Sequence, residues 1–179
     1  MPHDKQCEKF DETTKASRCH SYVTMNLPFL TLQKHAMTSS FDNTIRLITY
    51  HKQATSARTL FLRLNGSVCV PHSLPQLSQY LEKLQDLPVV THPAALVAQT
   101  EKQFNLAADS LQIEHEFRAQ VDTPDGTVTV YLARFTMIDP PRAEVESQEG
   151  KFIALTEARN LPSVELQLLR QAYSFIMEG

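Results

Sequence analysis

The amino-acid sequence predicts an α+β sandwich, a mixed sheet with helices on its faces. Three observations predict it. Two stretches, Thr44–Tyr50 (TIRLITY) and Arg58–Leu64 (RTLFLRL), alternate side chains between two faces as strands do. A longer alternating run, Leu111–Val121, is followed by Thr123-Pro124-Asp125-Gly126 and a returning run, which predicts an antiparallel hairpin. Segments of helical spacing lie between and after these strands. The resulting order is strand, strand, short strand, helix, helix, long hairpin, strand, helix.

Each element has a local reason. In Thr44–Tyr50, Ile45, Leu47 and Thr49 share one side, and Arg46, Ile48 and Tyr50 the other. In Arg58–Leu64, Leu60, Leu62 and Leu64 share a face opposite Phe61 and Arg63. Asn65-Gly66 follows as a turn signal, Ser67–Val70 resumes extended structure, and Pro71 stops it. After Ser73 and Pro75, the residues Leu77, Tyr80, Leu81 and Leu84 stand at i, i+3, i+4 and i+7, which predicts a helix over 76–85 ended by Pro88. Thr91 is the expected cap of a second helix, with Pro93 in its first turn. That helix is expected to run to about Phe104, with Asn105 as a left-handed C-terminal residue.

In the hairpin, Leu111, Ile113, His115, Phe117, Ala119 and Val121 form the expected buried face, and Val128, Val130 and Leu132 continue the return strand. This puts His115 in the core as a satisfied histidine. A loop with Pro140-Pro141 and several acids leads to a short strand at Lys151–Leu155. Ser163 is the expected cap of the last helix, whose apolar stripe reads Leu166, Leu169, Tyr173 and Ile176.

The chain has 179 residues and a formal charge of −3, enough for one ordinary core and unsuited to a broad nucleic-acid surface. It lacks an uninterrupted apolar run of membrane-spanning length, roughly 18 residues, so no membrane partner is expected. Cys7, Cys19 and Cys69 form no C-x-x-C pair, and an odd number cannot all pair internally, which predicts a reduced, cytoplasmic setting. Residues 1–40 read as a poorly ordered or docking extension, with an apolar patch at Leu27–Leu32, and 41–179 as the folded domain. Lys15 and Arg18 before Tyr22–Leu32 faintly resemble a signal peptide, but Asn26 and Pro28 interrupt the apolar stretch. Met37 opens a cleaner segment and is a second candidate start.

From about Thr44 to Met177 the order of elements and several residues resemble a Nudix domain. Gly66-Ser-Val-Cys-Val-Pro71 is similar to the approach to the family's Pro-Gly-Gly turn. Ala94-Ala95, opening a helix that ends Phe104-Asn105-Leu106, is similar to the frame of the Nudix helix. The hairpin with Asp125-Gly126 and the segment from Lys151 through Leu155 to Ala158 resemble the elements that follow. The resemblance implies a Nudix-like α/β/α sandwich with a mixed sheet, and a homodimer.

The departures from the pattern G-x5-E-x7-R-E-U-x-E-E-x-G-U bear on activity. With Leu106 on the last apolar position, Asn105 replaces glycine, Lys102 and Gln103 replace the paired acids, Gln99 replaces the earlier glutamate, and Ala98 the arginine. His72-Ser73 stands in place of Gly-Gly. Nudix hydrolysis holds divalent metal on helical carboxylates; neutral amides bind such hard cations weakly and an ammonium repels them. The resemblance therefore implies a degenerate Nudix box, no resident metal and no catalytic residues of the usual kind. Under the alternative of a divergent hydrolase, Mg²⁺ or Mn²⁺ would sit on Glu101 with acids of the late loop, Glu144, Glu146 and Glu149.

Arg63, Lys102 and Arg134 are the candidate ligand-binding residues, since guanidinium forks match phosphate or carboxylate oxygens. Asp122 and Asp125 read as turn residues. His51, His72, His92 and His115 show no i, i+4 pairing and no zinc signature; His72 and His92, bracketing the expected 76–85 helix, are the weak candidates for an acid/base or metal role. Cys69, in an apolar run, reads as an inert core thiol. Three functions follow: a non-hydrolytic domain binding a nucleotide-type ligand or a partner, a divergent Nudix hydrolase acting on a nucleoside diphosphate derivative, or a structural interaction protein.

Overall fold

A computed structural model describes residues 43–56, 58–86 and 92–178. The chain divides into two units, Met1–Met37 and Thr38–Gly179, and every described residue belongs to the second. The N-terminal extension with Leu27–Leu32, the cysteines Cys7 and Cys19, and the residues Pro88 and Thr91 lie outside the described residues.

A seven-stranded mixed sheet forms the middle layer. Strands β1 (Ile45–Lys52), β2 (Thr59–Leu64) and β3 (Cys69–Val70) are followed by β4 (Gln79–Leu81), the hairpin β5 (Leu111–Thr123) and β6 (Gly126–Phe135), and β7 (Gly150–Ile153). The spatial order is β4-β5-β6-β1-β2-β7, with β3 pairing to β1 beyond β2's reach. β1 runs parallel to β6 and antiparallel to β2 and β3, which makes the sheet mixed. β1 is central and buried on both faces. Leu47 joins the core cluster under α1 (Pro93–Gln103), while Ile48 joins the one under α3 (Ser163–Glu178). Alternation along a strand sends neighbours to opposite faces. The α1 core also takes Leu96, Val97 and Phe104, together with Val145 from the short helix α2 (Arg142–Glu146). The α3 core takes Val164, Leu168, Leu169, Ala172 and Ile176. The expected α/β/α layering is thus observed.

The turn after β2 closes as expected. Asn65 and Gly66 both have positive φ (50° and 87°), and Leu64 and Ser67 exchange backbone hydrogen bonds of 2.8 and 2.9 Å. At the end of α1, Asn105 is left-handed (φ 54°). Its N–H donates to the Lys102 carbonyl (3.2 Å), while Leu106 N–H donates to Glu101 (2.8 Å). That pair of bonds is the Schellman arrangement, with asparagine in the left-handed position that glycine most often takes.

Three sequence expectations about the strands and the 76–85 segment are corrected. The helix over 76–85 is absent: Gln79–Leu81 is an edge strand on β5, with Tyr80 opposite Val121. Leu77 and Leu84 are 86% and 53% exposed, so the stripe has no buried face to satisfy. The buried Gln120 amide accepts from Gln85 N–H (2.6 Å) and donates to Gln85 C=O (2.9 Å), taking the N–H that a helix ending there would have used internally and tying the segment to β5. The period-two face of β5 is also broken. Ile113 stands opposite Ala133 but Arg118 opposite Tyr131, an irregularity that reverses the alternation. Leu111 therefore lies in the α1 core and Phe117, Ala119 and Val121 in the α3 core. His115, between them, is exposed instead of buried.

The buried stripe of α3 is Val164, Glu165, Leu168, Leu169, Ala172 and Ile176, with Leu166 and Tyr173 half-buried at its margins. The loop before β7 contains α2, anchored by the buried Val145. Among the described residues, no helix is long and apolar enough to cross a membrane.

Candidate functional site

α1 is capped by His92, whose Nδ1 accepts from Ala94 N–H (3.2 Å), with Pro93 in the first turn. That contact gives His92 a structural task, and no cluster of three metal-ligating side chains brings it together with His72 among the described residues. Glu101 is the single carboxylate on α1. It is 8% exposed, and its Oε1 accepts from Leu111 N–H at 2.9 Å, tying the helix to the start of β5. Gln99 and Gln103 are half-buried and Lys102 is exposed. Glu144, Glu146 and Glu149 are exposed on α2 and the turn after it, and Glu144 and Glu146, two apart on a helix, point to different sides.

The three candidate basic residues do not meet at one cleft. Lys102 stands on α1, over one face of the sheet. Arg63 and Arg134 belong to the alternation facing the other layer, with Arg63 paired to Lys151 of β7 and Arg134 to Tyr50 of β1. Arg63 is half-buried, with its Nη2 beside the Gly66 turn and its Nε buried without a hydrogen-bond partner among the described residues.

Arg134 is the one that opens onto a sizeable concavity. A groove of about 840 Å³ lies between the β1–β2 connection and the end of β6, lined by Lys52, Ser56, Gln112, Arg134, Thr136 and Met137 among others. Arg134 Nη2 donates to Gln112 Oε1 (2.9 Å), and its Nε lies 3.9 Å from Glu114 Oε1. The same Glu114 oxygen accepts a 2.6 Å hydrogen bond from the Tyr50 hydroxyl. Burial, and then the hydrogen bond to Glu114, push the Tyr50 phenol well above its ordinary range, so it stays protonated and serves as a donor. Lys52 Nζ donates to the Ile176 carbonyl (3.1 Å) near the C-terminal end of α3, where a cation is favoured. The chain thus builds a partly ordered cationic rim, with one carboxylate tempering Arg134.

Sequence reasoning missed Lys52, Tyr50, Gln112 and Glu114. Tyr50 and Glu114 are 64 positions apart, and no local spacing announces such a pair. Cys69 is an inert core thiol: it is 1% exposed, and burial, then the nearby Glu165 charge, drive its thiol well above the usual range.

No family model matches the chain, and no curated protein matches it. Among solved structures, the crystal structure of the C. elegans Ap4A hydrolase aligns at 20% identity, covering 74% of this chain and 96% of that one, with a TM-score of 0.47.

Proposed function

We propose that this chain is a Nudix-like domain with a degenerate Nudix box, acting by binding a nucleotide-type ligand or a partner and lacking metal-dependent diphosphatase activity on α1. The observation that carries the reading is the state of Glu101. The lone acid of the helix is buried and its Oε1 holds the Leu111 amide, while Gln99, Lys102 and Gln103 occupy the positions of the family's helical acids. A hard dication needs several oxygen ligands, mostly anionic, on one accessible face. The groove at Arg134 and Lys52 is the proposed ligand site, because a guanidinium and an ammonium at the rim of a cavity favour phosphate oxygens. The homodimer is likewise proposed on the resemblance alone.

The test is a thermal-shift and turnover screen of nucleoside diphosphate derivatives with and without Mn²⁺. The expected result is a saturable shift that is the same in Mn²⁺ and in EDTA, no release of phosphate or nucleoside monophosphate, and about a tenfold loss of affinity in Arg134→Ala, the loss expected for one charged hydrogen-bond donor. Mn²⁺-dependent release abolished by Glu101→Gln would establish the divergent hydrolase instead. Absence of both shift and turnover would leave the structural interaction protein.

A further inference from the structure

A second, smaller pocket of about 350 Å³ lies on the α1 side of the sheet, where β1 ends. His51, Arg58, Leu60, Asp139 and Arg142 line it. Arg58 comes from the connection that enters β2, Arg142 from the first residue of α2, and His51 from β1, so three separated parts of the chain supply its polar wall. Both arginines are exposed. Among the described residues, neither guanidinium has an ion pair or a hydrogen-bonded partner. Arg142 is instead laid over the Phe152 ring, 6.0 Å from its centroid, which limits where its fork can point.

The far wall is fixed. His51 is 2% exposed, and its Nε2 stands 3.0 Å from the Met137 carbonyl and 3.1 Å from the Ile138 carbonyl. Carbonyl oxygens only accept, so Nε2 carries the hydrogen. In the neutral ring Nδ1 then remains an acceptor. That contact pins the loop on which Asp139 sits. The charge of the lining is two guanidiniums against one carboxylate, a surplus of positive charge in a concave site.

We infer that this pocket binds the phosphate group of a small phosphate monoester, gripped by Arg58 and Arg142, with Asp139 facing the hydroxyls of the attached group. A phosphate monoester carries about −1.5 to −2 charges at neutral pH and three terminal oxygens, which two forks can share; a carboxylate offers one charge and two oxygens. The volume exceeds what a bare phosphate fills, and Asp139 would repel an anion that had no hydroxyl to give it. The pocket adjoins the Arg134 groove and shares Gln53 with it, but Arg58, Asp139 and Arg142 line this pocket alone, and the inference does not depend on the reading of that groove.

Titration calorimetry of the full chain with ribose 5-phosphate, inorganic phosphate and ribose tests it. The expected order is saturable binding of ribose 5-phosphate, at least tenfold weaker binding of phosphate, and none of ribose. Arg58→Ala and Arg142→Ala should each weaken ribose 5-phosphate binding tenfold or more, and Arg142→Lys should give a smaller loss by keeping the charge without the fork. Arg170→Ala, which removes an exposed arginine of α3 outside both linings, should leave it unchanged. The inference is overturned if ribose 5-phosphate does not bind at millimolar concentration, if phosphate binds equally well, or if Arg134→Ala and not the two pocket variants removes binding. Circular dichroism of each variant establishes that it is folded; both arginines are exposed, and Arg142→Lys covers the loss of the stacked side chain.

Discussion

At the scale of single residues, the most informative side chains are charges placed where periodicity expects none. Glu165 lies on the buried face of α3 at 1% exposure. Its Oε1 accepts from the Ser67 hydroxyl (2.8 Å) and its Oε2 from Val68 N–H (3.1 Å), while Ser67 Oγ in turn accepts from Cys69 N–H (3.0 Å). One carboxylate therefore fastens the last helix to the strand segment after the Asn65-Gly66 turn. We predict that Glu165→Ala destabilises the protein by about 2–4 kcal/mol, because it strips buried donors of their acceptor as well as deleting a contact. Glu165→Gln, which keeps one acceptor oxygen, should lose less. Urea unfolding with an unchanged slope reads both; a midpoint unmoved by Glu165→Ala would show that water replaces the carboxylate. Glu101 follows the same logic on the other face. Neither role was legible in the sequence, where both acids sit in helical segments that read as solvated wherever they are not apolar. Arg134 was legible as a strand cation. Its partners Gln112 and Glu114 became visible only through the register of β5 on β6.

At the scale of elements, what was readable depended on whether the deciding interaction was local. The turn at Asn65-Gly66, the hairpin and the C-terminal stop of α1 depend on residues a few positions apart, and all three stand as expected. The segment 76–85 fails for a non-local reason. Its apolar spacing suits a helix, but the free edge of β5 and the Gln120 amide compete for its backbone, and Gln120 is 35 positions from Gln85. The irregularity in β5 between Ile113 and Arg118 is likewise set by pairing with β6, and it moves His115 from an expected core position to solvent. The local case gives the sharper prediction. Asn105 must hold positive φ to close the Schellman turn. Asn105→Ala should cost about 1 kcal/mol, since a Cβ without a compensating side chain disfavours that region, and Asn105→Gly should be neutral or slightly stabilising. Denaturation midpoints of the two variants should fall on opposite sides of, or at, the parent; equal losses would mean that the asparagine side chain and not the backbone angle is what matters.

At the scale of the whole molecule, the sheet separates two cores that share no side chain. β1 and β2 send alternate residues to each: Leu47, Leu60 and Leu62 toward α1, and Ile48, Tyr50 and Phe61 toward α3. The pocket of Arg58 and Arg142 lies on the α1 side, whereas the groove takes Gln112 and Arg134 from the alternation facing α3 and Phe135 and Met137 from the α1 side. If the partition is physical, damage to one core should not be felt in the other. Leu168 is fully buried under α3, and Leu168→Ala should cost about 2–5 kcal/mol. Ile45 is buried on the α1 side, and Ile45→Val should cost about 0.5–1.5 kcal/mol. The two positions sit in different clusters on opposite faces, so the double variant should equal the sum within about 0.5 kcal/mol. Ile48→Val is the matched change on the α3 side of the same strand. Combined with Leu168→Ala it removes volume twice from one core, and its coupling should exceed that of the Ile45 pair. Four unfolding curves per cycle, the parent's included and compared at constant slope, decide it. A coupling of the Ile45 pair above about 1 kcal/mol would mean that strain crosses the sheet through β1, and the two sites would then have to be treated as one energetic system.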